Sequence, residues 1–287
     1  MDIVHHGIIG VIGLSVAESL DLGMGGVFFL IGSILPDLDV FLMLLGKRVY
    51  LKNHQGFSHS LVFLPLFSLM IVVLFTPLIP FAWGNVLAIG VGILVHVLLD
   101  YSNTYGISLL YPLSKKRFAL DSIFFIDTFL FALSISVLLL KYHFALYMTL
   151  FLFYVIFKIL LQRNVHKKLH ADFTIPSALN PFDFYIYQNG NGQILTYQYN
   201  ALTRKRRNYK EQENIDERYR YLLNKSQTYK DIDQITKALH ITDVTENSDR
   251  ITVNAKDLAL RNFGGKFATT TLLFNKEEEL LNEISHI

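Results

Sequence analysis

The 287-residue chain is 52% hydrophobic and 17% charged with a mean hydropathy of +0.35, a profile outside that of ordinary soluble domains. A formal net charge of +2 points to no strongly charged partner, and the absence of cysteine excludes both a disulfide framework and any thiolate metal site. Charge is also uneven, because residues 1–161 hold only 8 of the 26 Lys and Arg and 8 of the 24 Asp and Glu, so the chain divides near Gln162 into an apolar and a polar part.

The first residues lack a basic leader, and the apolar stretch from Ile8 meets Glu18 and Asp21, so no cleaved signal peptide is expected. Gly7–Leu20 is short, a marginal span or a re-entrant helix. A bilayer span takes about 20 apolar residues. Leu22–Leu45, Phe57–Leu78, Phe81–Leu99 and Ser122–Leu140 meet that length, as does Tyr142–Leu161. In the last of these, Phe151, Phe153, Tyr154 and Phe157 read most simply as lipid-facing. The expected fold is mainly α, a polytopic membrane bundle of about six helices, with five as the alternative. Residues 1–165 form this membrane-embedded domain, 166–179 a linker, and 180–287 a small soluble α+β domain. In the last segment Phe184–Gln188 and Gln193–Tyr199 alternate as strands around the hairpin signal Asn189-Gly-Asn-Gly192. Arg250–Asn254 and Phe267–Phe274 also read as strands, and Asn214–Leu239 as helical.

The basic residues orient the bundle. Lys47, Arg48 and Lys52 fall in one loop and Lys115, Lys116 and Arg117 in another; Lys141 and Lys158 complete the set. The positive-inside tendency then puts the 47–56 loop, the 104–121 loop and the C-terminal domain on the cytoplasmic side of the inner membrane.

Five of the ten histidines lie in the first hundred residues, each beside an apolar run: His5, His6, His54, His59 and His96. Aspartates accompany them at Asp37, Asp39, Asp100, Asp121 and Asp127. Ionisable groups at membrane depth are costly and are functional candidates by default. The expected topology gathers all of these at the cytoplasmic face. His96 and Asp100 stand four apart, on one face of a helix, where two side chains can grip one ion. Asp37 and Asp39 stand two apart, and a break at Pro36 would let both carboxylates turn toward one cavity. Asp121 sits where a helix N-cap is expected, and Asp127 reads as a buried hydrogen-bonding group beside the site. The expected metal ligands are Asp37, His59, His96 and Asp100, completed by His54 and one of His5 or His6. Asp39 or Asp121 would act as general base, or would orient a ligand histidine. Nitrogen and oxygen donors suit a divalent ion: zinc first, with manganese or iron as alternatives. The number of donors exceeds the need of one ion, which points to two.

The run of motifs resembles a known family. His5-His6, Gly32-Ser-Ile-Leu-Pro-Asp-Leu-Asp39, His54-Gln-Gly-Phe-Ser-His-Ser60, His96-Val-Leu-Leu-Asp100, Asn103-Thr-Tyr-Gly106 and Leu179-Asn-Pro-Phe182 occur in that order. They resemble the bacterial inner-membrane metal-dependent hydrolases, also called the YdjM-like or LexA-binding hydrolase family, over about residues 1–185. The resemblance implies a helical membrane protein with hydrolase activity, with the histidines and aspartates as metal ligands and Asn103 beside them. No DNA-binding element accompanies the LexA label, and no nucleic acid partner is expected. The site is also similar, more distantly, to zinc-dependent phospholipase C and P1-type nucleases, whose His-x-x-x-Asp pair His96 and Asp100 would match. The expected function is metal-dependent hydrolysis of a phosphoester, with a membrane lipid as substrate. The alternatives are a metal-ion or proton carrier using the same cluster, and a non-catalytic membrane protein with a structural metal.

Overall fold

The computed structural model describes residues 3–124, 126–140, 144–190, 193–213, 217–233, 239–257 and 269–286. Two compact units emerge: Met1–Gln162 with Ala178–Pro181, and Arg163–Ser177 with Phe182–Ile287.

The first unit is helical. It comprises α1 (Ile3–Ser19), α2 (Gly25–Ile34), a 3-10 continuation over Leu35–Leu45, α3 (Lys47–Asn53), a 3-10 turn at Phe57–His59, α4 (Leu64–Phe75), α5 (Trp83–Tyr101), α6 (Thr128–Leu140) and α7 (Phe144–Leu169). Three stretches are long and apolar enough to cross a membrane: Gly25–Leu45, Trp83–Tyr101 and Leu146–Leu169. Ile3–Ser19, Leu64–Phe75 and Thr128–Leu139 are apolar but shorter. The expectation of about six full spans is therefore corrected to three long helices and three short ones among the described residues. Two expected spans shorten because their first residues are used elsewhere. Residues 57–63 build a turn tied to a later loop, with Leu61 N–H donating to Leu109 O at 3.0 Å, and α4 starts only where Pro65 can occupy its first turn. Ser122 and Ile123 likewise bind back to Ser102, whose carbonyl accepts from both N–H groups at 3.2 Å each.

Helices α2 and α5 pack backbone to backbone. A Cβ on Gly32 would lie 2.4 Å from Ile89 O, and one on Gly92 would lie 2.4 Å from Phe29 O. Small residues permit such approach where apolar burial alone gives no advantage over lipid. Asp127 starts α6: its Oδ1 accepts from the Phe129 and Leu130 N–H groups at 3.1 Å each, and the Tyr154 hydroxyl bonds the same carboxylate at 3.0 Å. Of the aromatic stripe on α7, Phe153 is exposed as expected, but Phe151 and Tyr154 are buried in the core with Ile9, Leu99 and Leu130, which corrects the lipid-facing reading for those two.

The second unit carries two four-stranded antiparallel meanders. The first has β1 (Phe173–Pro176), β2 (Asp183–Gly190), β3 (Gln193–Asn200) and β4 (Arg206–Glu213). The second has β5 (Leu239–Glu246), β6 (Ile251–Asp257), β7 (Thr269–Phe274) and β8 (Leu280–His286), preceded by α8 (Glu217–Leu223) and α9 (Gln227–Asp233). Strands β2 and β3 pair with Gly190 opposite Gln193, so the hairpin falls where expected, although its tip residues 191–192 lie outside the described residues. The expected helix over Asn214–Leu239 is instead two short helices, with 214–216 and 234–238 outside the described residues. Burial alternates along β6, as period-two patterning requires, around Ile251, Val253 and Ala255. The expected 166–179 linker is not one: it is the last turn of α7 followed by β1, which pairs with β2. Ala178–Pro181 belongs to the helical unit because the buried Lys158 donates its Nζ to Pro181 O at 3.0 Å.

Candidate metal centre

Three backbone devices bring the donors together. At Pro36 the α-helix tightens to 3-10, and Asp37 and Asp39, two residues apart, both turn toward the His59 ring. The two carboxylates then straddle one imidazole: Asp37 Oδ1 is 3.7 Å from His59 Nε2, and Asp39 Oδ2 is 3.8 Å from His59 Nδ1. The 54–61 turn carries His59, and α5 carries His96 and Asp100 one turn apart on its buried face. Helix α1 supplies His6 from its first turn.

Asp37, His59, His96 and Asp100 each offer one donor atom, all within 4.8 Å of one another. His59, His96 and Asp100 are fully buried, and Asp37 nearly so. His59 Nε2 lies 3.1 Å from both His96 Nε2 and Asp100 Oδ2; His96 Nε2 lies 3.5 Å from Asp37 Oδ1 and 3.6 Å from Asp100 Oδ2. Donors on a regular tetrahedron with 2.0–2.1 Å bonds stand roughly 3.3–3.4 Å apart, so these separations suit one four-coordinate ion.

The outer contacts fix the protons. The Ser33 carbonyl can only accept, so His96 Nδ1, at 2.8 Å, donates to it and leaves Nε2 bare. Ser58 donates its hydroxyl to Asp39 Oδ2 at 2.9 Å and therefore accepts from His59 Nδ1, also at 2.9 Å. His59 Nε2 is bare in turn. Two imidazole lone pairs thus face each other at 3.1 Å with two carboxylates beside them. With both rings neutral, these two nitrogens and the two carboxylates are a donor set that suits a cation.

The remaining expected residues separate into two groups. His6 joins the cluster, with Nε2 3.2 Å from Asp100 Oδ1 and 3.9 Å from Asp37 Oδ2 and its ring stacked on His96 at 3.6 Å between centroids. His5, a helical step of about 100° away, turns to α6 and bonds Ser134 Oγ at 3.0 Å. His54 is not among the four converging donors; its Nδ1 bonds Asp39 Oδ1 at 2.9 Å. Asp39 is committed to His54, Ser58 and the Gln55 N–H, so of the two roles left open for it the geometry supports orientation. Asp121 heads no helix; it adopts φ 53° and its N–H donates to Asn103 O at 3.3 Å, while the cap of α6 is Asp127. Asn103 turns its own loop, its Oδ1 accepting from the Tyr105 and Gly106 N–H groups at 2.8 and 3.1 Å. His143 lies outside the described residues.

Sequence reasoning missed three participants. Ser58 sits inside a quoted motif, with no role read for it there. Gln55 reaches Asp100 Oδ2 at 3.4 Å. Arg117, read only as a topology charge, donates to Gln55 Oε1 at 2.8 Å, Gly106 O at 2.9 Å and His54 O at 3.3 Å, clamping the 102–121 loop to the 54–59 turn. Burial lowers the Arg117 pKa to about 10 and, with the Asp39 and Asp37 carboxylates, raises that of Tyr50 to about 12.

Comparison with known proteins identifies a family. The model of a family described as YdjM inner membrane protein matches residues 1–165, which hold every donor of the cluster. A protein of Bacillus subtilis (strain 168), described as "Uncharacterized protein YfhP", is 32% identical over 154 residues. That match covers 49% of this chain and 46% of the relative, so the chain spans about half the length of the curated relative it matches. No solved structure matches, and the likeness to phospholipase C and P1-type nucleases stands without support. With more than half of its length matched by the family model, the chain belongs to the YdjM inner membrane protein family.

Proposed function

We propose that the protein is a membrane-bound, metal-dependent hydrolase acting on a phosphoester such as that of a membrane lipid. The observation that carries this reading is the convergence of two bare imidazole nitrogens and two carboxylates in a buried site. Asp37, His59, His96 and Asp100 would hold a divalent ion, zinc best suiting the set. Such an ion lowers the pKa of water and polarises a phosphoryl oxygen.

The chain's own groups do the rest. Ser58 and Asp39 hold the proton of His59 on Nδ1, and Ser33 O holds that of His96 on Nδ1. Arg117 and Gln55 fix the turn that carries His59. Asp37 Oδ2 is buried with no hydrogen-bond partner, and it is placed to take the proton of an attacking water. In that step the water oxygen bonds phosphorus, the ester P–O bond breaks, and the proton passes to the departing alcohol. A second reading has its own observation: His6 Nε2, Asp37 Oδ2 and Asp100 Oδ1 form a further donor set sharing both carboxylates, which suits a second ion. Metal content of one or two per chain separates the two.

A carrier is the less supported function. His6 lies at the start of α1 and Asp100 at the end of α5, so the cluster occupies one end of the bundle, whereas transport sites lie near the midplane between repeated halves. The basic loops support a cytoplasmic position for that end and for the C-terminal domain. Cysteines introduced at positions 50 and 110 test this orientation; labelling only from outside would overturn it. Turnover of phospholipids and simple phosphodiesters, with and without chelator, tests the activity. Chelator-sensitive hydrolysis is expected, and absent or chelator-insensitive turnover across the panel would refute it.

A further inference from the structure

Beside the metal cluster the helical unit holds a cavity of about 650 Å³ walled by α1, α2, α5 and α7. Its walls are apolar almost throughout; Asn85 is the one amide side chain among them. Along α5 it extends from Gly84 to Leu99, about 22 Å at 1.5 Å per residue. One end is formed by Ile9, Val95 and Leu99. Val95 and Leu99 are the chain neighbours of His96 and Asp100, and Ile9 is one helical turn from His6. The other end, at Leu22, Ala82 and Gly84, lies toward the opposite end of the bundle. Gly13 and Ala17 line the α1 side, and Gly25 and Ala88 lie beside Leu22.

Ordinary lipid contact does not explain this feature. A lipid-facing surface is an exposed ridge of large side chains, as at Leu66, Leu74 and Phe153. Here the walls include residues that the fold buries, among them Ile12, Leu99 and Tyr147. Volume and lining fall within the range of ligand sites, which are concave and mostly apolar with a few polar groups at one end. The metal donors are not among the lining residues; they adjoin the Val95–Leu99 end of the cavity, where His96 and Asp100 are the next residues along α5. The length exceeds one leaflet, which is about half of a roughly 30 Å hydrocarbon core.

We infer that this groove receives one hydrocarbon chain of an amphiphilic phosphoester, whose polar head then lies at the Asp37–His59–His96–Asp100 cluster. The inference rests on the hydrolase reading for the identity of the head and on the groove alone for the chain.

Photo-crosslinking tests it with the full chain in phosphatidylcholine nanodiscs. The probes are single-chain alkyl phosphates of about 8 and about 16 carbons with a terminal diazirine, the longer being of leaflet length. The short probe is expected to label near Val95 and Leu99, and the long one near Leu22 and Gly84. Ala88→Phe, which fills the groove beside Leu22, is expected to cut long-probe labelling about tenfold or more and to leave short-probe labelling within about twofold. Ala88→Leu should give a smaller loss, and unchanged metal content shows that the cluster survives. Labelling spread equally over Leu66, Leu74 and Phe153, or insensitive to Ala88→Phe, would overturn the inference. Repeating the experiment with chelated protein, which turns nothing over, separates the two claims. Groove labelling without hydrolysis of any phosphoester would leave the groove standing and remove the hydrolase; hydrolysis without groove labelling would do the reverse.

Discussion

Ser58→Ala isolates the part of the account most open to measurement. The Ser58 hydroxyl bridges Asp39 and the ring of His59, at 2.9 Å to each. Without it Asp39 Oδ2 keeps the Gln55 N–H at 3.0 Å, but His59 Nδ1 faces that oxygen across 3.8 Å, beyond hydrogen-bonding range. The imidazole is then free to carry its proton on Nε2, where it blocks a ligand position. Loss of such a partner behind a ligand histidine typically costs about 10–100-fold in metal affinity, or about 1.4–2.7 kcal/mol. Zinc affinity measured by competition with a chromophoric chelator in detergent should fall by that factor. Ser58→Thr, which keeps the hydroxyl, should restore most of it. Ser60→Ala is the neighbouring control, because that hydroxyl bonds the Leu109 and Tyr111 carbonyls and not the cluster. An affinity for Ser58→Ala within twofold of wild type would refute the orienting role.

Other outcomes follow from the same packing. Gly92→Ala places a methyl 2.4 Å from Phe29 O and 2.9 Å from Ser33 N, so α2 and α5 must part and the Ser33–His96 bond must stretch. A stability loss of about 1–3 kcal/mol and weaker metal binding are expected together in thermal unfolding and metal titration. Asp127→Ala removes the α6 cap and strands the buried Tyr154 hydroxyl, costing about 2–4 kcal/mol, while metal affinity holds; a parallel loss of metal would restore Asp127 to the site. In the second unit, burial, with Arg220 nearby, lowers the His240 pKa to about 4 from 6.5. A depressed histidine favours the fold when neutral, so this stability is full above about pH 6.5 and declines as pH falls toward 4, by on the order of 2 kcal/mol after solvent screening. Hydrogen exchange of the β5 and β6 amides, corrected for intrinsic rates, should show the decline, and His240→Gln should flatten it.

What the sequence revealed follows from how local each signal is. His96 and Asp100 were legible because an i, i+4 pair on one helix needs no tertiary knowledge, and Pro36 announced the break at which Asp37 and Asp39 both turn toward one imidazole. The choice between His5 and His6 was not legible, since it depends on how α1 is rotated against α5. Hydropathy marked apolar runs but not where helices begin within them. Leu61, Ser122 and Ile123 fall within expected spans, yet their backbone N–H groups bond distant loop carbonyls. Asp121 and Asp127 were exchanged as caps for the same reason. Arg117 gave no signal, because its partners are three carbonyls and an amide far along the chain.

The central claim is that Asp37, His59, His96 and Asp100 form one shared metal site. Elemental analysis of detergent-purified protein beside the His96→Ala/Asp100→Ala variant, both monodisperse, tests it most directly. One or two divalent ions per chain are expected in the wild type, and close to none in the variant. Equal metal content in the two would contradict it.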